Sequence, residues 1–179
     1  MNPDLASRPA RREDVDVLRR LMADAIRDLL PGFLLPEAVE ASFEVMGLDT
    51  QLIDDGTYYV VECGGIVAGC GGWSRRATLF GGDHSAGRDH ALLDPARDAA
   101  RVRAMYTGPA FVRRGIGRLV LSLCETAARR EGFRAAELAA TLAGVPLYRA
   151  CGYQEIEPFE ADTSTGVRVP LIRMGKRLS

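Results

Sequence analysis

An α/β layered domain, with a mixed and mostly antiparallel sheet of six to seven strands flanked by helices, is the fold that this sequence predicts. Three observations carry that expectation. Two β-branched and apolar runs, residues 57–63 and 66–73, are joined by Gly64-Gly65, a linker suited to a primed hairpin turn. A strand-like run at 101–107 leads through Gly108-Pro109 into a helical pattern from about Gly115 to Glu131, and a short strand at 133–141 follows. Two more strand-like runs, 153–159 and 167–174, flank the polar turn 162–166.

Taken in order, the chain starts with a short extended stretch, residues 5–10. Glu13 and Asp14 then open a helix whose apolar residues Val15, Leu18, Leu21, Met22, Ala25 and Leu29 recur at helical spacing, and Pro31-Gly32 ends it. Pro36 suits the first turn of a second helix that runs to Gly47. In the second strand of the hairpin, Gly69, Gly71 and Gly72 point to a bulge or to close approach by another backbone or a ligand. Residues 74–99 lack periodicity, contain Gly81, Gly82, Gly87 and Pro95, and form a long excursion of the kind that carries function. In the helix after Gly115, the buried stripe is expected to be Ile116, Leu119, Val120, Leu123, Cys124 and Ala127. Arg118, Ser122, Glu125 and Arg129 should face water, and Gly132 caps the end. Residues 146–151 give one or two helical turns closed by Gly152. Pro170 cannot donate to a ladder, which places the last strand at an edge or a bulge.

The 179 residues, without repeat or low-complexity linker, are expected to form one domain, 1–179. Lys and Arg number 23 against 24 Asp and Glu, so no overall field attracts nucleic acid or an anionic membrane. With no apolar run near the roughly 20 residues that span a bilayer and no apolar leader, a soluble, cytoplasmic protein is predicted. Cys63, Cys70, Cys124 and Cys151 are scattered among apolar neighbours, which predicts reduced thiols and neither a disulfide framework nor a zinc knuckle.

The chemistry concentrates at 111–118, Phe-Val-Arg-Arg-Gly-Ile-Gly-Arg. Between a strand and an amphipathic helix, unpaired amides and the positive end of the helix dipole hold an anion. Gly115 and Gly117 let a phosphate approach the main chain, and Arg113, Arg114 and Arg118 add charge. The segment lacks the Lys-Ser/Thr of a P-loop and the G-x-G-x-x-G of a dinucleotide fold. Its physical character is that of a pyrophosphate cradle.

Together with Leu147-Tyr148-Arg-Ala-Cys-Gly-Tyr153, this segment resembles the GNAT superfamily of acetyltransferases, whose Gln/Arg-x-x-Gly-x-Gly/Ala motif follows a strand and whose Tyr-x-x-x-Gly-Phe/Tyr ending follows the next one. The chain departs from the pattern at Val112, where Gln or Arg is usual, at Thr141, where Asn is usual, and at Gly144, where Ala is usual. The resemblance implies acetyl-coenzyme A as co-substrate, no metal, and a small-molecule amine or a protein amino group as acceptor. It implies a coenzyme lying in a splay between the strands that end near Thr107 and Thr141. Main-chain groups of Met105, Tyr106 and Thr107 would bind the pantetheine, and those of Val112, Arg113, Arg114, Gly115, Ile116, Gly117 and Arg118 the diphosphate. Attack by an uncharged amine expels a thiolate, and Tyr148 is the candidate proton donor, because a phenol stays protonated at neutral pH.

Trp73, Arg75 and His84 are candidate acceptor-site residues at the start of the excursion and within it. His84 and His90 each follow an aspartate, an arrangement that also fits a base or a solvated loop. Arg101 and Arg103 share a strand face and could greet an acidic acceptor or simply meet solvent. No carboxylate lies on the 101–107 strand, and Glu62 or an ordered water are further candidates for the base beside the two histidines. Competing functions are a different acyl donor, a hydroxyl acceptor, or a non-catalytic acyl-CoA-binding module. An edge strand offers a route to a homodimer.

Overall fold

A computed structural model describes residues 5–85 and 88–178. Its sheet has seven strands: β1 (Leu5–Pro9), β2 (Tyr58–Cys63), β3 (Ile66–Ser74), β4 (Ala100–Thr107), β5 (Ala135–Thr141), β6 (Gln154–Ala161) and β7 (Val169–Arg177). They run in the order β1-β2-β3-β4-β5-β7-β6. Every neighbouring pair is antiparallel except β4 and β5, which are parallel. The helices are α1 (Val15–Leu29), α2 (Pro36–Val45), α3 (Thr50–Asp54), α4 (Ile116–Arg130) and α5 (Val145–Ala150).

Each face of the sheet has its own apolar core. The α4 side gathers Ile116, Val120, Leu121, Cys124 and Ala128 against Trp73, Val102, Ala136, Leu138 and Met174. On the other side, Leu18, Leu21, Ala25 and Ile26 of α1 and Leu52 and Ile53 near the hairpin pack on Tyr58, Val60, Cys70 and Tyr106. Val60 and Val61 fall in different cores, as the two-residue period of a strand requires. The third cluster sets Ala41 and Val45 of α2 on Ala161, Val169 and Leu171, so α2 covers the far end of the β6–β7 hairpin.

The glycines of β3 make room for α4. A Cβ on Gly69 would lie 2.4 Å from Ile116 Cγ2, and one on Gly71 would lie 2.6 Å from Met105 Cγ and 2.7 Å from Val120 Cγ1. The close approach expected of this strand is made chiefly by side chains of α4 and β4, and the bulge lies in the strand opposite, where the register against β4 shifts between Cys70 and Gly72. The extra residue is Ala104, with φ +50°, a bulge that bends β4 where the site lies. Gly71→Ala is expected to lower stability by about 1–3 kcal/mol through overpacking, read as a fall in urea midpoint without a change in slope. The hairpin turn has φ +59° at Gly64 and +79° at Gly65, as a primed turn demands.

Several expectations need correction. Glu125 is buried rather than solvated, because Leu121, Cys124 and Ala128 rotate its flank inward, and Lys176 Nζ meets its carboxylate at 2.8 Å and 2.9 Å. The second helix ends at Val45, and α3, with Asp49 as its N-cap through a 3.1 Å bond from the Gln51 amide, is an element too short for its apolar period to register. The edge strand is β6, while β7 is interior. Pro170 is tolerated because β5 begins to pair only at Leu171, leaving Val169 and Pro170 with a partner on one side. Among the described residues, no helix is long and apolar enough to cross a membrane.

Candidate active site

β4 and β5 pair only at Ala100↔Ala136 and Arg101↔Glu137, then part. Beyond that point β5 turns its ladder to β7, and the bulge at Ala104 bends β4 away. The one parallel pair of the sheet thus opens into a wedge toward the carboxyl ends of its two strands. The expected splay between Thr107 and Thr141 is present.

At the mouth of the wedge, β4 passes through Gly108 and a 3-10 turn, Pro109–Phe111, into a loop that heads α4. Arg113 has φ +64° and Gly115 φ +87°, and such a left-handed alternation curls successive amides into an anion-binding concavity. The first amides of α4 have no intrahelical acceptor, and Arg113, Arg114 and Arg118 are exposed around them. An open cleft of about 600 Å³ lies here, lined by Val112, Arg113, Gly115, Ile116, Gly117 and Arg118 with Phe33 and Leu147. Gly117 lets Leu147 lie close to the start of α4, since a Cβ there would sit 2.6 Å from Leu147 Cδ2 and push that side chain aside. Arg114 instead lies over the Phe111 ring, 5.5 Å from its centroid.

Thr107, Gly117, Ala143 and Leu147 also wall a second cavity of about 170 Å³, closed on one side by Ile26, Leu29 and Leu30 around the end of α1. A third cavity of about 80 Å³ lies deeper, between β4 and β5, under Phe80 and Gly81 of the excursion. The second and third share Met46, Met105, Tyr106, Thr141 and Tyr148. The three cavities therefore adjoin one another from the exposed cleft to an inner chamber, and Tyr148 stands where the second meets the third.

Tyr148 is buried, stacks edge-on to Tyr153 at 6.0 Å between centroids, and directs its hydroxyl to Met105 Sδ at 3.8 Å. Sulfur is a weak acceptor, and among the described residues no carbonyl holds the hydroxyl. Burial pushes its pKa above the ordinary tyrosine value. Gly144 seats the ring, since a Cβ there would lie 2.9 Å from Tyr148 Cε2. Thr141 Oγ1 accepts from the Gly144 amide at 3.2 Å and so fixes the turn into α5. On β4, Tyr58 Oη donates to the Ala104 carbonyl at 2.7 Å and braces the bulge.

The structure thus brings Met105, Tyr106, Thr107, Thr141 and Tyr148 together, and places Val112 to Arg118 at the outer cleft. It does not bring Trp73, Arg75 or His84 into these cavities. Trp73 shares the α4-facing side of β3 with Gly69 and Gly71 and packs edge-on against Phe133 at 5.9 Å. Arg75 pairs with Glu131 at 2.6 Å, at the opposite end of α4 from the cradle. His84 Nε2 lies 2.9 Å from the Glu44 carbonyl, behind the wall formed by Gly47 and Gly82. Glu62 is taken by Arg8 at 2.9 Å on the outer strands, and Gly87 lies outside the described residues.

Sequence reasoning missed Asp49, which is fully buried under the excursion, and saw Arg103 only as half of a strand pair. Arg103 is 5% exposed, donates to the Asp49 carboxylate, and donates to the Gly81 carbonyl at 2.7 Å. Arg101 instead pairs with Glu137 across the closed end of the wedge. No motif marks Asp49, whose only local signal is an Asx cap before a helix of one turn.

The comparisons with known proteins agree with this architecture. A GCN5-related N-acetyltransferase from Rhodopseudomonas palustris superposes with a TM-score of 0.71 at 18% identity, covering 97% of this chain and 95% of that one. The PaiA N-acetyltransferase of Thermoplasma acidophilum, solved with coenzyme A, gives 0.64 at 12% identity over 97% and 98%. YncA of Salmonella typhimurium, solved with acetyl-CoA, gives 0.64 at 18% over 98% and 95%. Identities this low speak for the fold alone, and no curated protein matches the sequence. The sequence profile of the Acetyltransferase (GNAT) family matches residues 22–153, a span running from α1 through the wedge, the cradle and Tyr148 to Tyr153. With a splayed sheet, a cradle of amides and a family match over well beyond half its length, this chain belongs to the GNAT acetyltransferase family.

Proposed function

We propose that this protein transfers an acetyl group from acetyl-coenzyme A to the amino group of an acceptor seated in the inner chamber. The observation that carries the reading is the Tyr148 hydroxyl at the junction of two cavities, with the Met105 thioether as its hydrogen-bond partner among the described residues. The residues present fit the coenzyme: amides and arginines for a diphosphate at the outer cleft, and a narrow apolar passage along Met105 to Thr107 for a pantetheine arm. When bound, the coenzyme supplies an activated acetyl thioester. The chain's own residues exclude water from it, orient it along β4, and hold a proton on Tyr148 Oη for the departing sulfur. Thiol release on mixing protein, acetyl-coenzyme A and an amine pool tests the reading; coenzyme binding without thiol release from any acceptor overturns it in favour of a non-catalytic module.

Neither the inner chamber nor the passage is lined by a carboxylate or a histidine among the described residues. The amine must therefore arrive as its free base or lose its proton to water. The Tyr148 pKa is raised, so its protonated form persists from acid through the ordinary tyrosine value near 10 and beyond. kcat/KM is expected to rise with pH by roughly tenfold per unit below the acceptor's own pKa and to level off there, without an alkaline limb below about pH 10. A fall in rate between pH 8 and 10, measured with a single acceptor, would remove Tyr148 as the donor.

A further inference from the structure

The inner chamber is lined by aliphatic, aromatic and glycine surface with one charged side chain among the described residues, Arg103. Its terminal nitrogens hold Asp49 and the Gly81 carbonyl, while Nε is buried without an acceptor. Asp49 does not neutralise the locality by itself. Its other oxygen is taken by Arg88 at 2.6 Å, so two guanidinium groups share one fully buried carboxylate. The next acid, Asp83, is 3.6 Å from Arg88 and more than a third exposed. An arginine keeps its proton in such a site. The one charge on the chamber wall among the described residues is thus positive and shares its buried counter-ion with a second cation, which disfavours an ammonium beside it and favours an anion.

We propose that the acceptor is a small primary amine that also carries a carboxylate, with Arg103 reading the carboxylate while the amine lies beside Tyr148. This rests on the assignment of the inner chamber as the acceptor site. The separation of the two groups follows from the strand. Arg103 and Met105, the residue that meets Tyr148 Oη, are two apart on β4, roughly 6.5 Å in a regular strand and less across the bulge at Ala104. One to three carbons between amine and carboxylate span that distance, which describes α- to γ-amino acids. A volume of about 80 Å³ under Phe80 and Gly81 suits a small molecule. The same positive potential favours the uncharged form of the amine that attack requires.

The test is thiol release from acetyl-coenzyme A with matched pairs: the common α-amino acids, β-alanine and γ-aminobutyrate, each against its amide, together with alkyl diamines and peptides with a free amino terminus. For wild-type protein, a preferred acid should exceed its amide by roughly 10- to 100-fold in kcat/KM, the worth of a charge-assisted hydrogen bond. In Arg103→Gln, which leaves Asp49 with Arg88, that ratio should collapse to within a few-fold. In Arg103→Lys, which keeps the charge, part of it should remain. Equal rates for acid and amide in the wild-type protein, or a preference for amides, diamines or peptides, would overturn the inference without any variant. Coenzyme binding by calorimetry separates the two levels: if the coenzyme binds and amides, diamines or peptides release thiol while no acid does, this inference fails alone; if the coenzyme does not bind, or binds without thiol release from any acceptor, the acetyltransferase reading fails and takes this one with it.

Discussion

Tyr148→Phe is expected to lower kcat by about 10²- to 10⁴-fold, the usual worth of a positioned proton donor, while the affinity for acetyl-coenzyme A stays near its wild-type value. The split follows from where the hydroxyl stands. The outer cleft that suits the diphosphate is built from residues 112–118, and the Tyr148 ring contributes to the inner passage without lining that cleft. Removing the oxygen leaves the ring on Gly144 and against Tyr153, so packing survives. Its polar neighbour is a sulfur at 3.8 Å, and stability should change by less than about 1 kcal/mol. A tyrosine whose hydroxyl served only the structure would lose stability and keep turnover, the opposite pattern. Gly144→Ala offers a second handle, because the added carbon presses on Cε2 and displaces the hydroxyl without deleting it; a smaller fall in kcat is expected. Steady-state kinetics with coenzyme titrations on both variants decide the matter, and an undiminished kcat in Tyr148→Phe would take the phenol out of the reaction.

The parts of this molecule that could be read from sequence are those whose physics is local. Gly64-Gly65 between two apolar runs reads as a tight turn, and the glycine-arginine alternation before α4 reads as a helix start whose first amides lack intrahelical partners. Residues spaced along one motif also come together: Met105 and Tyr148 meet because a strand and a short helix follow each other around one parallel crossing. What could not be read depends on contacts far apart in the chain. Trp73 looks like a strand-end residue near a functional loop, and only the placement of α4 over β3 turns it into core. Glu125 looks like the wet side of a helix until Lys176, 51 residues later, comes to meet it. Asp49 and Arg103 are separated by 54 residues, and neither carries a signal that names the other.

That last pair underlies the largest expected effect on stability. Asp49 is fully buried, caps α3, and receives Arg103 and Arg88 on its two oxygens. It ties three segments together: α3, β4 and the excursion that roofs the inner chamber. Asp49→Asn keeps the shape and an oxygen able to cap, yet leaves two buried guanidinium groups without a counter-charge and turns an amide N-H toward one of them. Breaking a buried pair in this way costs about 3–5 kcal/mol, and for a chain of this size the thermal midpoint should fall by roughly 10 °C. If the cost is electrostatic rather than a matter of fit, removing one cation as well must return part of it. Asp49→Asn with Arg103→Gln should therefore be more stable than the sum of the two single changes by about 1 kcal/mol or more. Calorimetric unfolding of the four proteins in this cycle reads the coupling directly. Strict additivity would mean that the buried ions do not act as a unit, and that the roof over the chamber is held by the Gly47–Gly82 backbone contact instead.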